Sequence, residues 1–389
     1  MNRHILDKSG GNFLFWDSPA TRTKPGTSGA NNLLDFLAAV SRPTVYYDRL
    51  INPTFVGQGT SFVVHRCEDN ETGTIVAVKK PLPAENSSNS EPAVSVVDAI
   101  LMELKIAAHP EFVDHPHVTK TLGFEKDPFA TNNISTLSLV MEYTSLGSLN
   151  DYLGTLDSPT DIQSWSHRRY LCRDVTAGLE ALHHSQIIHG DVKLENILVF
   201  PGDPTTGASR YIAKISDFGS AIVKDTTSRF IGVNGPPIYR GTPLYVSPLV
   251  RQSIGPLPFH LLPACDLFSL GLVFWSIFQG APYYQRSWKN DHETDEGCLD
   301  RIGIQGLRDR FDDYVATIND SCPTNEITML RNAVASCITD ISMPRNSPLP
   351  PVAAPSVYRR AFSAVTQVKT ILTTVENWYI YPWILTRVR

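Results

Sequence analysis

At 389 residues, with 42% hydrophobic and 19% charged residues, the chain has the composition of a globular protein long enough for two or three compact units. A formal net charge of −5 leaves no basic excess to draw a nucleic acid or an anionic membrane. Six scattered cysteines with no C-x-x-C spacing exclude a disulfide framework and predict reduced thiols in an intracellular setting, cytoplasmic or nuclear. The opening residues, MNRHILDKSGGNFLFWD, lack the continuous apolar stretch of a secretory signal.

Residues 1–45 read as a flexible leader rich in Gly, Ser, Thr and Pro, closed by a short flanking helix. Leu33, Leu34, Phe36, Leu37 and Val40 form the apolar stripe of that helix. From Phe55 to Val64, apolar and β-branched residues flank Gly57-Gln58-Gly59, the pattern of a hairpin. Such glycines let a backbone approach an anion and aim amides at it, although many hairpin turns carry them without that purpose. Thr74–Lys79 predicts a buried strand whose final lysine needs a partner or a route to water. Strand alternation turns Lys80 to the opposite face. After the polar loop Ala84–Ser95, a helix is predicted over Val96–Ala108, with Ile100, Leu101, Leu104 and Ala107 on one face and Glu103 within it. Glu111 follows Pro110 and falls past the helix end. Leu137–Tyr143 predicts another strand, running into the Gly-containing link Thr144–Gly147.

Ser148–Leu153 and Trp165–His184 predict helices, the second with Leu171, Val175, Gly178, Leu179 and Leu182 on one face. It leads directly into His189-Gly190-Asp191-Val192-Lys193-Leu194-Glu195-Asn196. Residues 194–200 and 211–216 then form a hairpin ending at Asp217-Phe218-Gly219, which delivers Asp191, Asn196 and Asp217 to one rim. Two acids, an amide and an ammonium at this spacing suit phosphoryl transfer. Asp191 can orient a hydroxyl and take its proton, while Lys193 offsets charge on the moving group. Asn196 and Asp217 offer the oxygen ligands that Mg²⁺ prefers. A solvated turn between two strands is the bland alternative for this stretch taken alone. Asp217–Leu249 is loop-like, and the apolar run Leu261–Phe278, interrupted by Pro263 and Asp266, predicts a core helix and no membrane span. Residues 281–300 read as a polar loop, 301–338 as helices broken near Cys322-Pro323, and 356–375 as a last helix. The aromatic, basic tail over 376–389 reads as a segment packed back on the body, with a partner motif as the alternative.

The motifs, in this order, resemble those of the protein kinases: a Gly-rich hairpin, the strand Val76-Ala77-Val78-Lys79, His115-Pro116-His117-Val118, His189–Asn196, Asp217-Phe218-Gly219, Gly241-Thr242-Pro243 and Asp266–Gly271. The resemblance implies an α+β, bilobal fold, with a β-rich N-lobe over 46–144, a mainly helical C-lobe over 145–375, and ATP in the cleft between them. It implies Lys79 on the α/β-phosphates and paired with Glu103, and Val56, Gly57, Gln58 and Gly59 over the phosphates. Val64 and Ala77 would roof the adenine and Leu198 floor it. Met141 would be the gatekeeper, with backbone groups of Glu142 and Thr144 at the adenine edge. Asn196 and Asp217 would hold Mg²⁺, and Asp266 would tie to the catalytic-loop backbone. Lys193 and Thr242 favour Ser/Thr hydroxyls, so the expected activity is transfer of the γ-phosphoryl of Mg-ATP to Ser/Thr of protein substrates. The alternative is a pseudokinase scaffold; a kinase of small molecules is a third reading. The chain departs from the family pattern at Phe62 (third glycine), Gly190 (usually arginine) and Leu249 (the acid of A-P-E), with no replacement ion pair legible around Arg345. Lacking a cation at 190, activity is not expected to depend strongly on phosphate at Thr226, Thr227 or Ser228.

Overall fold

Runs of apolar and β-branched residues between Val45 and Glu142 pair into a six-stranded sheet in the computed structural model, which describes residues 45–46, 50–59, 62–82, 96–126, 137–155, 162–202, 211–224, 238–253 and 255–338. The leader stripe, the loop 84–95, Thr226, Thr227, Ser228, Arg345, the helix expected over 356–375 and the tail lie outside those residues. The strands are β1 (Val45–Tyr46), β2 (Leu50–Gln58), β3 (Phe62–Asp69), β4 (Ile75–Pro81), β5 (Thr121–Lys126) and β6 (Leu137–Glu142). They lie in the order β1-β5-β6-β4-β3-β2, antiparallel except for β1 on β5. In this register Val64 faces Lys79 and Ala77 faces Met141, so Phe62, Val64, Ala77 and Lys79 share one side of the sheet. Lys80 turns to the other side and meets Glu125 at 3.4 Å.

One helix, α1 (Val96–Ala107), crosses that sheet with Asp98 in its first turn and Lys105 in its last, both favourable to the helix dipole. Its Ala99, Ile100 and Leu104 pack into a cluster with Phe62, Phe124, Leu137, Leu139 and Met141.

The remainder is mainly helical, giving the expected α+β, two-lobed arrangement. Short α2 (Leu149–Leu153) starts with a capping box between Ser148 and Asp151. Long α3 (Ile162–His184) lays Trp165, Leu171, Val175, Leu179 and Leu182 against the central helix α5 (Leu262–Gln279) in the largest core cluster. All of Leu262–Phe278 is buried, including Asp266. The span Phe259–Gln279 is long and apolar enough to cross a bilayer, yet from Leu262 to Phe278 it is buried within the protein, as a core helix should be. Between α3 and α5 run β7 (Ile187–Ile188), the hairpin β8 (Ile197–Pro201) with β9 (Tyr211–Ile215), β10 (Ile222–Val223) and the single turn α4 (Pro248–Arg251). All six cysteines are buried free thiols.

Two expectations need correction. Residues 281–300 are not a loop throughout: α6 (Asp295–Ile318) starts at Asp295, capped by the Thr294 side chain. The polarity of Asp295 and Glu296 belongs to a helix first turn, where acids are favoured. Gly303 then kinks this helix at φ 62°, and α7 (Thr324–Cys337) follows the expected break. Nor is the segment after Asp217 all loop, since Ile222 and Val223 pair antiparallel with Ile188 and Ile187. A two-residue strand is too short to show any period in sequence.

Candidate active site

Where the sheet meets the helical lobe, Lys79 Nζ lies 2.6 Å from Glu103 Oε1 and 2.7 Å from Asp217 Oδ1. Glu103 reaches it from α1, and the same Oε1 accepts the backbone N–H of Phe218 at 2.9 Å. Asp217 turns toward the lysine because its backbone is left-handed, φ 63° and ψ 77°, a conformation that Asp tolerates better than most residues. Burial alone would pull the Lys79 ammonium down, but the Asp217 and Glu103 carboxylates outweigh it and hold the amine well above its ordinary value. Burial opposes ionisation of Asp217 too; Lys79, aided by His189 and Lys193, overrides it and holds the carboxyl at about 2. At Glu103 burial is the largest influence and pushes upward against Lys79 and the Phe218 N–H. The 2.6 Å contact to a fully protonated lysine favours the ion pair there. Glu111 is exposed beyond the end of α1, where Pro110 places it.

Below this cluster, Asp191 is enclosed by three donors. Lys193 Nζ is 2.8 Å from its Oδ2, Asn196 Nδ2 donates to the same oxygen at 3.0 Å, and Thr242 Oγ1 donates to Oδ1 at 2.7 Å. Lys193 also donates to Thr242 Oγ1 at 2.7 Å, closing a triangle of acid, ammonium and hydroxyl. Asn196 Nδ2 also donates to the Asp191 carbonyl at 2.8 Å, which points its amide oxygen away from the loop. His189 supports the turn from inside: Nδ1 accepts the Asp191 N–H at 3.2 Å, so the proton is on Nε2, 3.0 Å from Ser216 O. Asp266 then fastens the loop to α5. It accepts the N–H of His189 at 2.8 Å, the N–H of Gly190 at 3.0 Å and the Tyr239 hydroxyl at 2.9 Å, and lies 2.9 Å from His183 Nε2. Burial pushes the Asp266 carboxyl up, but these partners, His183 foremost, bring it below its ordinary value.

The residues assigned to a nucleotide lie on β2 and the turn after it, on β3, β4 and β6, on the link after β6, and on β8. Val64, Ala77 and Leu198 are half-buried and Met141 is buried, while Val56 and Gln58 are exposed. Space stands open at Gly57, where an added Cβ would meet nothing within 4 Å; at Gly59 it would meet only Phe62 O at 3.9 Å. Glu142 donates its N–H to Lys120 O at 3.0 Å, and its carboxylate holds Lys214 Nζ at 2.8 and 2.7 Å. Thr144 donates its hydroxyl to Val199 O at 2.5 Å, joining the link to β8.

The protein kinase domain family model matches residues 52–327, most of the chain. The chain belongs to the protein kinase domain family. Among curated kinases it is similar to the serine/threonine-protein kinase BCK1/SLK1/SSP31 of Saccharomyces cerevisiae, 30% identical over 60% of this chain and 14% of that protein. It is 27% identical to the probable serine/threonine-protein kinase PBL6 of Arabidopsis thaliana over 62% of this chain and 50% of the relative. It is 28% identical to the inhibitor of nuclear factor kappa-B kinase subunit epsilon of Mus musculus over 58% and 28%. The chain therefore spans half or less of the length of these relatives.

Each departure from the kinase pattern has a local structural setting. Gly190 has φ 80°, and a Cβ there would lie 2.4 Å from Ser220 O, so the turn excludes any side chain. Leu249 is buried in a cluster with Ile188, Ile222, Leu261 and Leu262, where an acid would be unsolvated. Two residues on, Arg251 ties the segment down through Asp300 Oδ1 at 2.8 Å and Val246 O at 2.9 Å, a pairing the sequence did not disclose. Phe62 is buried against α1 in the cluster with Ala99, Ile100 and Leu104. Sequence reasoning also missed that Thr242 contacts Asp191 directly, having taken it only as a sign of hydroxyl specificity; His183 and Tyr239 carried no signal.

Proposed function

We propose that this kinase domain transfers the γ-phosphoryl group of Mg-ATP to Ser/Thr hydroxyls of protein substrates. The observation that carries the reading is Asp191 held by Lys193, Asn196 and Thr242 beside the paired Lys79 and Asp217. Asp191 orients the incoming hydroxyl and accepts its proton, Lys193 offsets charge on the transferring group, and Thr242 keeps both in register. Lys79, fixed by Glu103, takes the α/β-phosphates. The oxygens of Asn196 and Asp217 suit a hard cation, and Mg²⁺ would be held by them together with phosphate oxygens and waters, as it is elsewhere with few protein ligands. When bound, the metal neutralises charge on the β- and γ-phosphates. Adenine would lie between Val64 and Ala77 above and Leu198 below, beside Met141, with backbone groups of Glu142 and Thr144 at its edge. Six buried free thiols suit an intracellular setting.

A pseudokinase scaffold is the second reading, favoured by one feature: the Phe62 ring, in place of the third glycine, sits with its centroid 4.5 Å from Lys79 Nζ. Incubation with labelled Mg-ATP and a generic protein substrate separates the two. The wild type should incorporate phosphate on Ser/Thr, and Asp191→Asn should lower the rate by about a thousandfold, given typical general-base and positioning contributions. Nucleotide binding without incorporation by the wild type would establish the scaffold.

A further inference from the structure

The third glycine of the hairpin is Phe62, and its side chain does not point to solvent. It is 6% exposed, within the cluster formed by Ala99, Ile100 and Leu104 of α1. Its ring centroid lies 4.5 Å from Lys79 Nζ. An ammonium has three N–H donors and no more. In this chain Glu103 Oε1 takes one, Asp217 Oδ1 takes another, and the Phe62 π-face covers a third side. The amine assigned to phosphate oxygens is thus covered on three sides. The register explains how. Val64 stands directly opposite Lys79, and Phe62, two residues earlier on the same side of β3, reaches along the cleft toward α1.

We propose that Phe62 sets the affinity of this domain for the polyphosphate of a nucleotide, its ring being displaced from Lys79 each time a nucleoside di- or triphosphate binds. The inference rests on the nucleotide-binding reading above. Asp217 can yield its side of the ammonium by turning to a metal; Phe62 has no such alternative partner and must swing out of its apolar cluster. Binding of the polyphosphate therefore carries a penalty that binding of a nucleoside alone does not, because the lysine under the ring is the group assigned to phosphate oxygens, which a nucleoside lacks.

The test compares equilibrium binding of ATP, ADP and adenosine, each with Mg²⁺, to the wild-type chain, Phe62→Gly and Phe62→Leu, with folding of each checked by circular dichroism. Phe62→Gly should bind ATP and ADP about thirtyfold more tightly, the size of one desolvated cation–π contact, with adenosine unchanged. Phe62→Leu keeps an apolar side chain against α1 and lacks the π-face; it should gain about threefold, and it decides the matter if the glycine variant does not fold. Adenosine binding with no gain for ATP in the folded variants would overturn the role of Phe62 alone. Should none of the three proteins bind ATP, ADP or adenosine, the nucleotide reading itself fails and this inference with it.

Discussion

Asp266 and Asp217 are both carboxylates beside the catalytic loop, and the fold holds them in opposite ways. Asp266 is fully buried and shares its two oxygens among two backbone N–H groups, a tyrosine hydroxyl and a histidine. Asp217 has a side chain 48% exposed, one lysine contact and a left-handed backbone. The first arrangement suits a brace: every lone pair is committed to a group that cannot leave. The second suits a ligand that changes partners, since a single charge contact at a half-open rim can be exchanged for a metal. Burial and partner count, more than residue type, separate structure from chemistry here.

Substitution at Asp266 should break that contrast most severely. Asp266→Ala strands the N–H groups of His189 and Gly190 and should cost about 3–5 kcal/mol in urea unfolding, the range for removing one side of a buried charged network. A loss below about 1 kcal/mol would mean the brace is not one. Gly190→Ala comes next, at about 2–3 kcal/mol, because it combines a positive φ with overlap on Ser220 O. Differential scanning calorimetry of the pair would show whether the loop depends more on its anchor or on its turn. The smallest stability effect belongs to the exchangeable site. Lys79→Met should abolish phosphate transfer, and its stability cost should be present at neutral pH and shrink as the solution is acidified. Asp217 is held at about 2, below its ordinary range, so its contribution is complete above about pH 4 and is lost as pH falls toward 2. Discounted for its exposed half, that contribution is about 1 kcal/mol, and it should be absent from the Lys79→Met acid-unfolding curve.

Much of this site was legible because the relevant groups lie close together along the chain. Asp191, Lys193 and Asn196 span six residues, and the hairpin that carries Asp217 beside them announces itself by its apolar strands. Lys79 and Glu103 were legible for another reason: each has an ordinary reading alone, as a strand-end lysine and a solvated helix glutamate, and only the resemblance to the kinase motif order paired them. What escaped were contacts set by packing. Thr242 meets Lys193 across 49 positions and Arg251 meets Asp300 across another 49, with no periodicity linking either pair. Phe62 was visible as a missing glycine, but its inward direction depended on α1 offering Ala99, Ile100 and Leu104. The start of α6 was hidden because acids at a helix first turn have the same composition as a loop.

The close approach of Gly190 to Ser220 also works as a ratchet on sequence drift. No single substitution can give position 190 the basic side chain that lets related enzymes sense an activating phosphate, because the Ser220 carbonyl already occupies the space its first carbon would need. Responsiveness of that kind would have to be regained by moving the neighbouring backbone first.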